Sequence, residues 1–365
     1  MSAVTTCGLD LAKNVFQVHC ADVHGARVTN QSLKRAQVLE FFKKLPPCLV
    51  GMEACASEHH WGRELVKLGH TVKLMPAKYV KAYVQRSKND SVDAAAICEA
   101  ATRPHVRGVP LRTVENQAAL MRHRVRETLV GTRTRMLNAL RGHLAEIGLI
   151  APQGAQNAYA LKRLVEAGFD EHGEVVVPDC VRASLAPLVH QIDAIDDDIA
   201  GIDEAIKQEV KADATAKRLT TTPGIGPLIA SAVMATVPDI GAFKSGREFA
   251  ASLGLTPRQD GTGGKPNLGR ITKMGDRYLR KLLVVGACAV LVHCKGHNDK
   301  LRTWADTLLA GKTVGHKFKL VAVAHSPSKD GRSSERPMAN KLARIIFALL
   351  TQGGEYDDRP VPVAA

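Results

Sequence analysis

The chain has 365 residues, of which 45% are hydrophobic and 4% aromatic, and a formal net charge of +14. That length fits two domains or a little more, and the core has to be built mainly from aliphatic side chains. A positive excess of this size calls for a polyanionic partner, nucleic acid first and an anionic membrane surface second. The longest strongly apolar run, residues 282–292, is too short to span a bilayer, so no membrane partner is expected.

Residues 1–6 carry no basic segment ahead of an apolar run, so the reading is a cytoplasmic protein without a secretory leader. The eight cysteines contain no Cys-x-x-Cys pair, which predicts buried free thiols rather than zinc ligands. Residues 4–10, 15–20 and 27–32 read as three strands joined by short turns, an antiparallel meander. Residues 35–44 have helical spacing, with Val38, Leu39, Phe41 and Phe42 as the apolar set, and Pro46-Pro47 ends them. A short strand follows at 48–54 with Glu53 near its end, then a helix at 61–68, a strand at 71–75 and an Ala-rich helix at 90–101. Three antiparallel strands followed by alternating helices and strands is the layout of an RNase H-like α/β domain.

Residues 115–149 look helical and basic: Arg122, Arg124, Arg126, Arg133, Arg135 and Arg141 stand against Glu115, Glu127 and Glu146. A guanidinium forks onto two phosphate oxygens, so this face is read as a phosphate contact in preference to a merely solvated one. Residues 151–184 read as a hinge with short helices. Leu185, Leu188, Ile192, Ile195, Ile199, Ile202 and Ile206 then form a heptad seam, with Pro187 placed in the first turn. Asp193, Asp196, Asp197, Asp198, Asp203 and Glu204 lie on its outer faces and argue against DNA contact there. The seam belongs either to an intermolecular coiled coil or to an antiparallel hairpin with the basic helix before it, and the intermolecular alternative is slightly preferred.

Thr222-Pro-Gly-Ile-Gly-Pro227 reads as a tight turn opening a helix, like the hairpin of a helix-hairpin-helix element. Its Gly224 and Gly226 would let backbone amides approach a phosphate. Residues 249–255 form a short helix or strand, and Asp260-Gly-Thr-Gly-Gly-Lys265 is a Gly-rich loop. The basic residues Arg270, Lys273, Arg277, Arg280 and Lys281 follow, with Asp276 as the cap of a buried helix running to His293. Residues 324–338 are expected to be a flexible polar loop, residues 340–350 a last helix, and the remainder a disordered tail.

Four acids stand out: Asp10 inside the first strand, Glu53 at the end of the fourth, and Asp90 and Asp93 three apart at a helix start. Converging carboxylates repel unless divalent cations sit between them. Mg²⁺ favours such ligands, and a pair of ions can clamp the attacking and leaving oxygens of phosphoryl transfer. The alternative for the last two acids is a helix cap, with Asp90 capping. A second reactive candidate is Thr262, whose glycine-rich surroundings could bring amides to a phosphate, with Lys265 and Arg258 nearby to balance charge.

Gly-Leu-Asp-Leu-Ala-Lys at the start, Met-Glu-Ala around Glu53 and Lys-Asn-Asp-Ser-Val-Asp-Ala resemble the first domain of the DEDD transposases of bacterial insertion sequences. Pro-Gly-Ile-Gly-Pro, Leu-Gly-Leu-Thr-Pro-Arg-Gln, Gly-Gly-Lys and Leu-Gly-Arg-Ile-Thr-Lys-Met-Gly-Asp-Arg-Tyr-Leu-Arg are similar to that family's transposase domain. The resemblance implies a RuvC-like domain over residues 1–108, a basic helix and coiled-coil region over 109–215, a helical transposase domain over 216–352 and a tail over 353–365. It implies Mg²⁺ on Asp10, Glu53, Asp90 and Asp93, a structured noncoding guide RNA that pairs with donor and target DNA, and a covalent protein–DNA intermediate. It also implies a homo-oligomer, dimer to tetramer, whose composite site takes acids from one subunit and the nucleophile from another. The family nucleophile is a serine in the loop after Leu-Thr-Pro; here its place falls on Thr262 or on Gly261, so either Thr262 supplies the hydroxyl or this copy is weak or inactive. Other readings of the residues are a RuvC-type structure-selective nuclease, with water as the nucleophile, and a non-catalytic nucleic-acid scaffold.

Overall fold

The structure is a computed structural model that describes residues 3–85, 89–169, 172–262, 265–293, 301, 303–304 and 338–357, with residues 262, 265–268 and 291–293 described by backbone alone. The chain divides into two compact units, residues 1–115 and 116–365.

The first unit is built on a five-stranded sheet, β1 (Thr6–Asp10), β2 (Val15–Ala21), β3 (Arg27–Lys34), β4 (Leu49–Glu53) and β5 (Thr71–Met75), in the order β3-β2-β1-β4-β5. The first three strands are antiparallel, and β1, β4 and β5 run parallel. One face buries Cys7, Leu9, Phe16, Val18 and Met52 under α1 (Val38–Lys43) and α2 (Glu58–Lys67). Phe16 meets Trp61 edge-on, with ring centroids 5.0 Å apart. The opposite face carries α4 (Asp90–Thr102), which follows the short α3 (Ala77–Val80). A Cβ on Gly8 would lie 2.1 Å from the Ala94 carbonyl oxygen, and one on Gly51 would lie 2.7 Å from the Ala101 Cβ. Alternation along a strand puts Gly8 with Asp10 and Gly51 with Glu53 on this same face. The two glycines thus admit the helix, and the two acids stand at its N-terminal end.

The thiols differ from expectation. Cys7 and Cys20 face each other across the β1–β2 ladder and are joined as a disulfide, while Cys48, Cys55, Cys98, Cys180 and Cys288 are free. Only the strand register brings the pair together, since 13 residues separate them in sequence.

In the second unit, α5 (Val114–Ala145), α6 (Ala155–Ala167) and α7 (Asp179–Ala212) pack together through Leu137, Leu140, Leu144, Leu161, Val165, Leu185, Val189 and Ile192. Farther along α7, Ile206 and Val210 join a second core with α8 (Ala214–Leu219), α9 (Pro227–Thr236), α10 (Gly246–Ser252), α11 (Arg277–His293) and α12 (Met338–Gln352). The heptad seam of α7 is therefore covered from within the chain, not by a second copy. The pairs Arg122–Glu209, Arg126–Asp203 and Arg133–Asp196 run in opposite directions along α5 and α7, so the two helices are antiparallel. Partly exposed pairs contribute roughly 0.2–1 kcal/mol each, against about 1.5–3 kcal/mol for burying one aliphatic side chain. The seam holds the hairpin and the charges set its alignment. Because α7 starts at Asp179, Pro187 lies in the helix interior and not in its first turn, leaving the Ala183 carbonyl without its helical amide partner.

The Gly-rich segment expected as a loop is mostly strand. β6 (Pro257–Thr262) and β7 (Lys265–Ile271) form an antiparallel hairpin in which Thr262 pairs with Lys265. The turn at Thr222–Gly226 does open a helix, and Gly224 there has φ +83°. A Cβ on Gly224 would lie 2.6 Å from the Gly286 carbonyl oxygen, and one on Gly286 would lie 2.1 Å from that of Gly224, so the turn and α11 meet backbone to backbone. Asp276 caps α11 as its position predicts, accepting from the Leu279 amide at 2.7 Å. The stretch 324–337 lies outside the described residues, as does 358–365; before it, the Tyr356 amide donates to Thr221 Oγ1 at 2.9 Å.

His123 is buried between α5, α9 and α11, with Nδ1 3.1 Å from the Tyr278 hydroxyl and Nε2 3.1 Å from Ser231 Oγ. Burial, reinforced by Arg126 and Arg122, lowers its pKa to about 4. The unfolded chain takes up this proton at about 6.5, so the contribution of neutral His123 is complete above that pH and is lost as pH falls towards about 4. Urea unfolding of the full chain should lose on the order of 3 kcal/mol from this group across that window. His123→Gln should flatten the dependence; an unchanged pH profile in that variant contradicts the assignment.

Candidate metal centre

Asp10 is the last residue of β1 and pairs with Gln17 of β2. Glu53 is the last residue of the neighbouring β4, one step beyond the Leu9–Met52 pair. Asp90 and Asp93 occupy the first turn of α4. The capping duty that Asp90 could have taken belongs to Asn89, whose side chain accepts from the Val92 amide at 2.9 Å. Both aspartates are thereby left to face Asp10, and one carboxylate oxygen from each of Asp10, Asp90 and Asp93 lies within 4.8 Å of the others. Glu53 stands outside that tight group but acts on Asp10 electrostatically.

Asp10 carries the cost of this arrangement. Desolvation, then the negative charges of Asp90, Asp93 and Glu53, raise its pKa to about 6, partly offset by a hydrogen bond from the Leu11 amide. A half-buried carboxylate beside three other acids is hard to ionise, and a cation placed among them would favour its charged form. The donors are all carboxylate oxygens, the set that suits a hard divalent cation and not zinc or copper. The residues present therefore fit such an ion.

Comparison with known proteins gives the site its context. A family profile described as "Transposase", of the DEDD type of IS110, matches residues 7–149, and one described as "Transposase IS116/IS110/IS902 family" matches residues 216–302. A "Probable family 20 transposase" of Pseudomonas aeruginosa is 46% identical over 94% of this chain and 96% of its own length. A "Putative transposase y4pF/y4sB" of Sinorhizobium fredii is 39% identical over 96% of this chain and 84% of its own. The "Transposase for insertion sequence element IS1111A" of Coxiella burnetii is 35% identical over 98% and 92%. The chain belongs to the IS110/IS116/IS902 family of transposases. It is accordingly a DNA recombinase that works by phosphoryl transfer, and its mixed α/β first unit agrees with a DEDD nuclease-like domain.

The transposase's other sequence-predicted residues divide into separate groups. Among the arginines of α5, Arg122, Arg126 and Arg133 are committed to acids of α7, while Arg124 and Arg135 stay on the exposed face, Arg135 donating to Thr132 Oγ1. Arg270, Lys273 and Arg277 are exposed along β7 and the start of α11, and Lys273 has φ +56°. Arg280, by contrast, is a structural clamp on the Leu253 and Met274 carbonyls. Gly226 is the exposed N-cap of α9, followed by Pro227. Thr262 ends β6; its side chain and that of Lys265 lie outside the described residues, as do residues 263–264.

The reading of the sequence passed over Gly8 and Gly51, each two residues before an acid on a central strand. That Gly-x-acid spacing on two strands was the available signal, because period two puts glycine and acid on one face. Asp10→Asn removes the raised carboxylate. In the metal-free protein, the stability held by Asp10 is present below about pH 4 and lost as pH rises through about 6. At pH 7.5 in chelator, Asp10→Asn should therefore raise the unfolding free energy, by up to about 3 kcal/mol before solvent screening reduces it. A destabilised variant under those conditions contradicts the charge assignment.

Proposed function

We propose that this transposase cleaves and joins DNA strands with Mg²⁺, as a pair of ions, held by Asp10, Glu53, Asp90 and Asp93. The observation that carries the reading is the approach of the Asp10, Asp90 and Asp93 carboxylates within 4.8 Å, with Asp10 displaced towards its neutral form. Bound there, divalent ions supply charge neutralisation for the phosphoryl group and polarise the reacting oxygens. The protein contributes rigidity: the ligands sit on two neighbouring strand ends and one capped helix turn, not on loops.

Thr262 is the proposed nucleophile. Its hydroxyl gives up a proton as its oxygen forms a bond to the DNA phosphorus; the departing DNA oxygen leaves with the bonding electrons and takes up a proton. The Cβ methyl of threonine restricts the approach relative to serine, so a slow first step is expected. A structured noncoding RNA is the proposed guide, pairing with donor and target DNA, and the acids of one subunit and Thr262 of another would complete the site in a dimer or tetramer. Arg124, Arg135, Arg270, Lys273 and Arg277 are exposed and are the proposed phosphate contacts, together with Lys265 and the amides around Gly224 and Gly226. Arg122, Arg126 and Arg133 have their charge matched within the chain and are withdrawn from that role. Among the described residues no helix is long and apolar enough to cross a membrane.

End-labelled DNA incubated with the protein, its RNA and Mg²⁺ should yield a denaturation-resistant protein–DNA adduct that Thr262→Ala abolishes and Asp10→Ala prevents. An adduct that persists in Thr262→Ala would remove Thr262 from the mechanism. Metal-dependent cleavage without any adduct would establish water as the nucleophile, and the absence of any metal-dependent DNA chemistry would leave a binding scaffold.

A further inference from the structure

A chain of side-chain hydrogen bonds crosses the sheet beside the acids and ends on the helix that carries two of them. Ser32 Oγ donates to Gln17 Oε1 at 2.7 Å, Gln17 Nε2 donates to Asn30 Oδ1, and Asn30 Nδ2 donates to Ser91 Oγ at 2.7 Å. Gln17 lies opposite Asp10 in the β1–β2 ladder and opposite Ser32 in the β2–β3 ladder. Asn30 lies opposite His19, which lies opposite Gly8, so every strand residue of the chain is on the face that α4 covers. Ser91 follows Asp90 directly and precedes Asp93 by two residues in the first turn of α4.

The two amides are matched to each other, so neither can turn over alone without losing a bond. Both amides use their carbonyl towards one neighbour and their NH₂ towards the next. Turning the Asn30 amide over alone would set its NH₂ against that of Gln17, and its oxygen against the Ser91 oxygen unless that hydroxyl turned to donate. Gln17 is buried, so an unmatched end would be costly. The turn of α4 that it grips is the one that mutual repulsion among Asp10, Asp90 and Asp93 pushes outwards. The Asn89 cap orders that turn internally but does not tie it to the sheet.

We infer that Gln17, Asn30 and Ser91 are positioning residues for the metal ligands, holding the first turn of α4 at the distance from Asp10 that a divalent cation requires. The inference rests on the metal-centre reading of the same acids. Partners that orient metal ligands typically change affinity by about 10- to 100-fold when removed.

The test is titration of the full-length protein with Mn²⁺, followed by electron paramagnetic resonance of the free ion, alongside its melting temperature in chelator. Asn30→Ala and Ser91→Ala should each weaken Mn²⁺ binding by about tenfold or more while melting close to the wild type. Ser91→Thr, which keeps the hydroxyl, should restore the affinity. Wild-type affinity in both alanine variants, or a loss in Ser91→Thr equal to that in Ser91→Ala, overturns the inference. Asp10→Asn separates the two claims: if it binds Mn²⁺ as the wild type does, the metal centre itself is wrong and the positioning role falls with it. If it loses binding while the alanine variants keep it, only the positioning role fails.

Discussion

The carbonyl of Ala94 occupies the space that a side chain at residue 8 would need. This contact between a helix backbone and a strand backbone is the constraint on which the first unit depends. It sets the depth at which α4 lies on the sheet, and a second link, from Cys98 Sγ to the Thr6 carbonyl, lies along the same line. With the helix at that depth, its first turn brings Asp90 and Asp93 to Asp10, and the parallel pairing of β1 with β4 adds Glu53. Two unit charges 4.8 Å apart repel by roughly 3–4 kcal/mol at an effective dielectric of about 20. Packing overrides that repulsion, so the acids are held together by a framework that gains nothing from them in the absence of a cation. Strain of this kind at a site, supported by rigid elements around it, is the pattern of a centre organised for binding.

In the second unit, charge is used differently. The basic stripe of α5 and the acidic faces of α7 meet in one hairpin, so part of the positive charge that suggested a phosphate-binding surface is neutralised internally. Lys162, which unlike those arginines is buried, is matched by Glu166 and Asp193. Exposed basic residues remain on the outer face of α5, at Arg124 and Arg135, and around the β6–β7 hairpin, at Arg270, Lys273 and Arg277.

Much of the first unit was legible because its signals are local. Alternation marks β1 and β2, Pro46-Pro47 marks the end of α1, and the alanine run marks α4. Asp10 could be singled out because a carboxylate in a buried strand demands a partner. What escaped was set by register. No spacing rule links Cys7 to Cys20, Asn30 to Ser91, or Gly8 to Ala94; each pair is defined by how strands align or how a helix lies across them. The α7 seam shows the complementary limit. Its periodicity was plain, yet a heptad pattern does not say whose helix fills it, and here the charged residues on α5 chose a partner in the same chain. Pro187 misled because proline suits a first turn so well, whereas the helix in fact begins at Asp179. The β6–β7 hairpin was hidden by glycines that read as loop although backbone pairing needs no side chain.

The most direct measurement of the central claim is anomalous diffraction from crystals of the protein grown or soaked with Mn²⁺. The account predicts anomalous density bounded by the carboxylates of Asp10, Asp90 and Asp93, with Glu53 reaching the same ion or a second one beside it. Crystals in which these carboxylates stay bare at saturating Mn²⁺ in the presence of bound DNA, or bind the ion somewhere else, would contradict it.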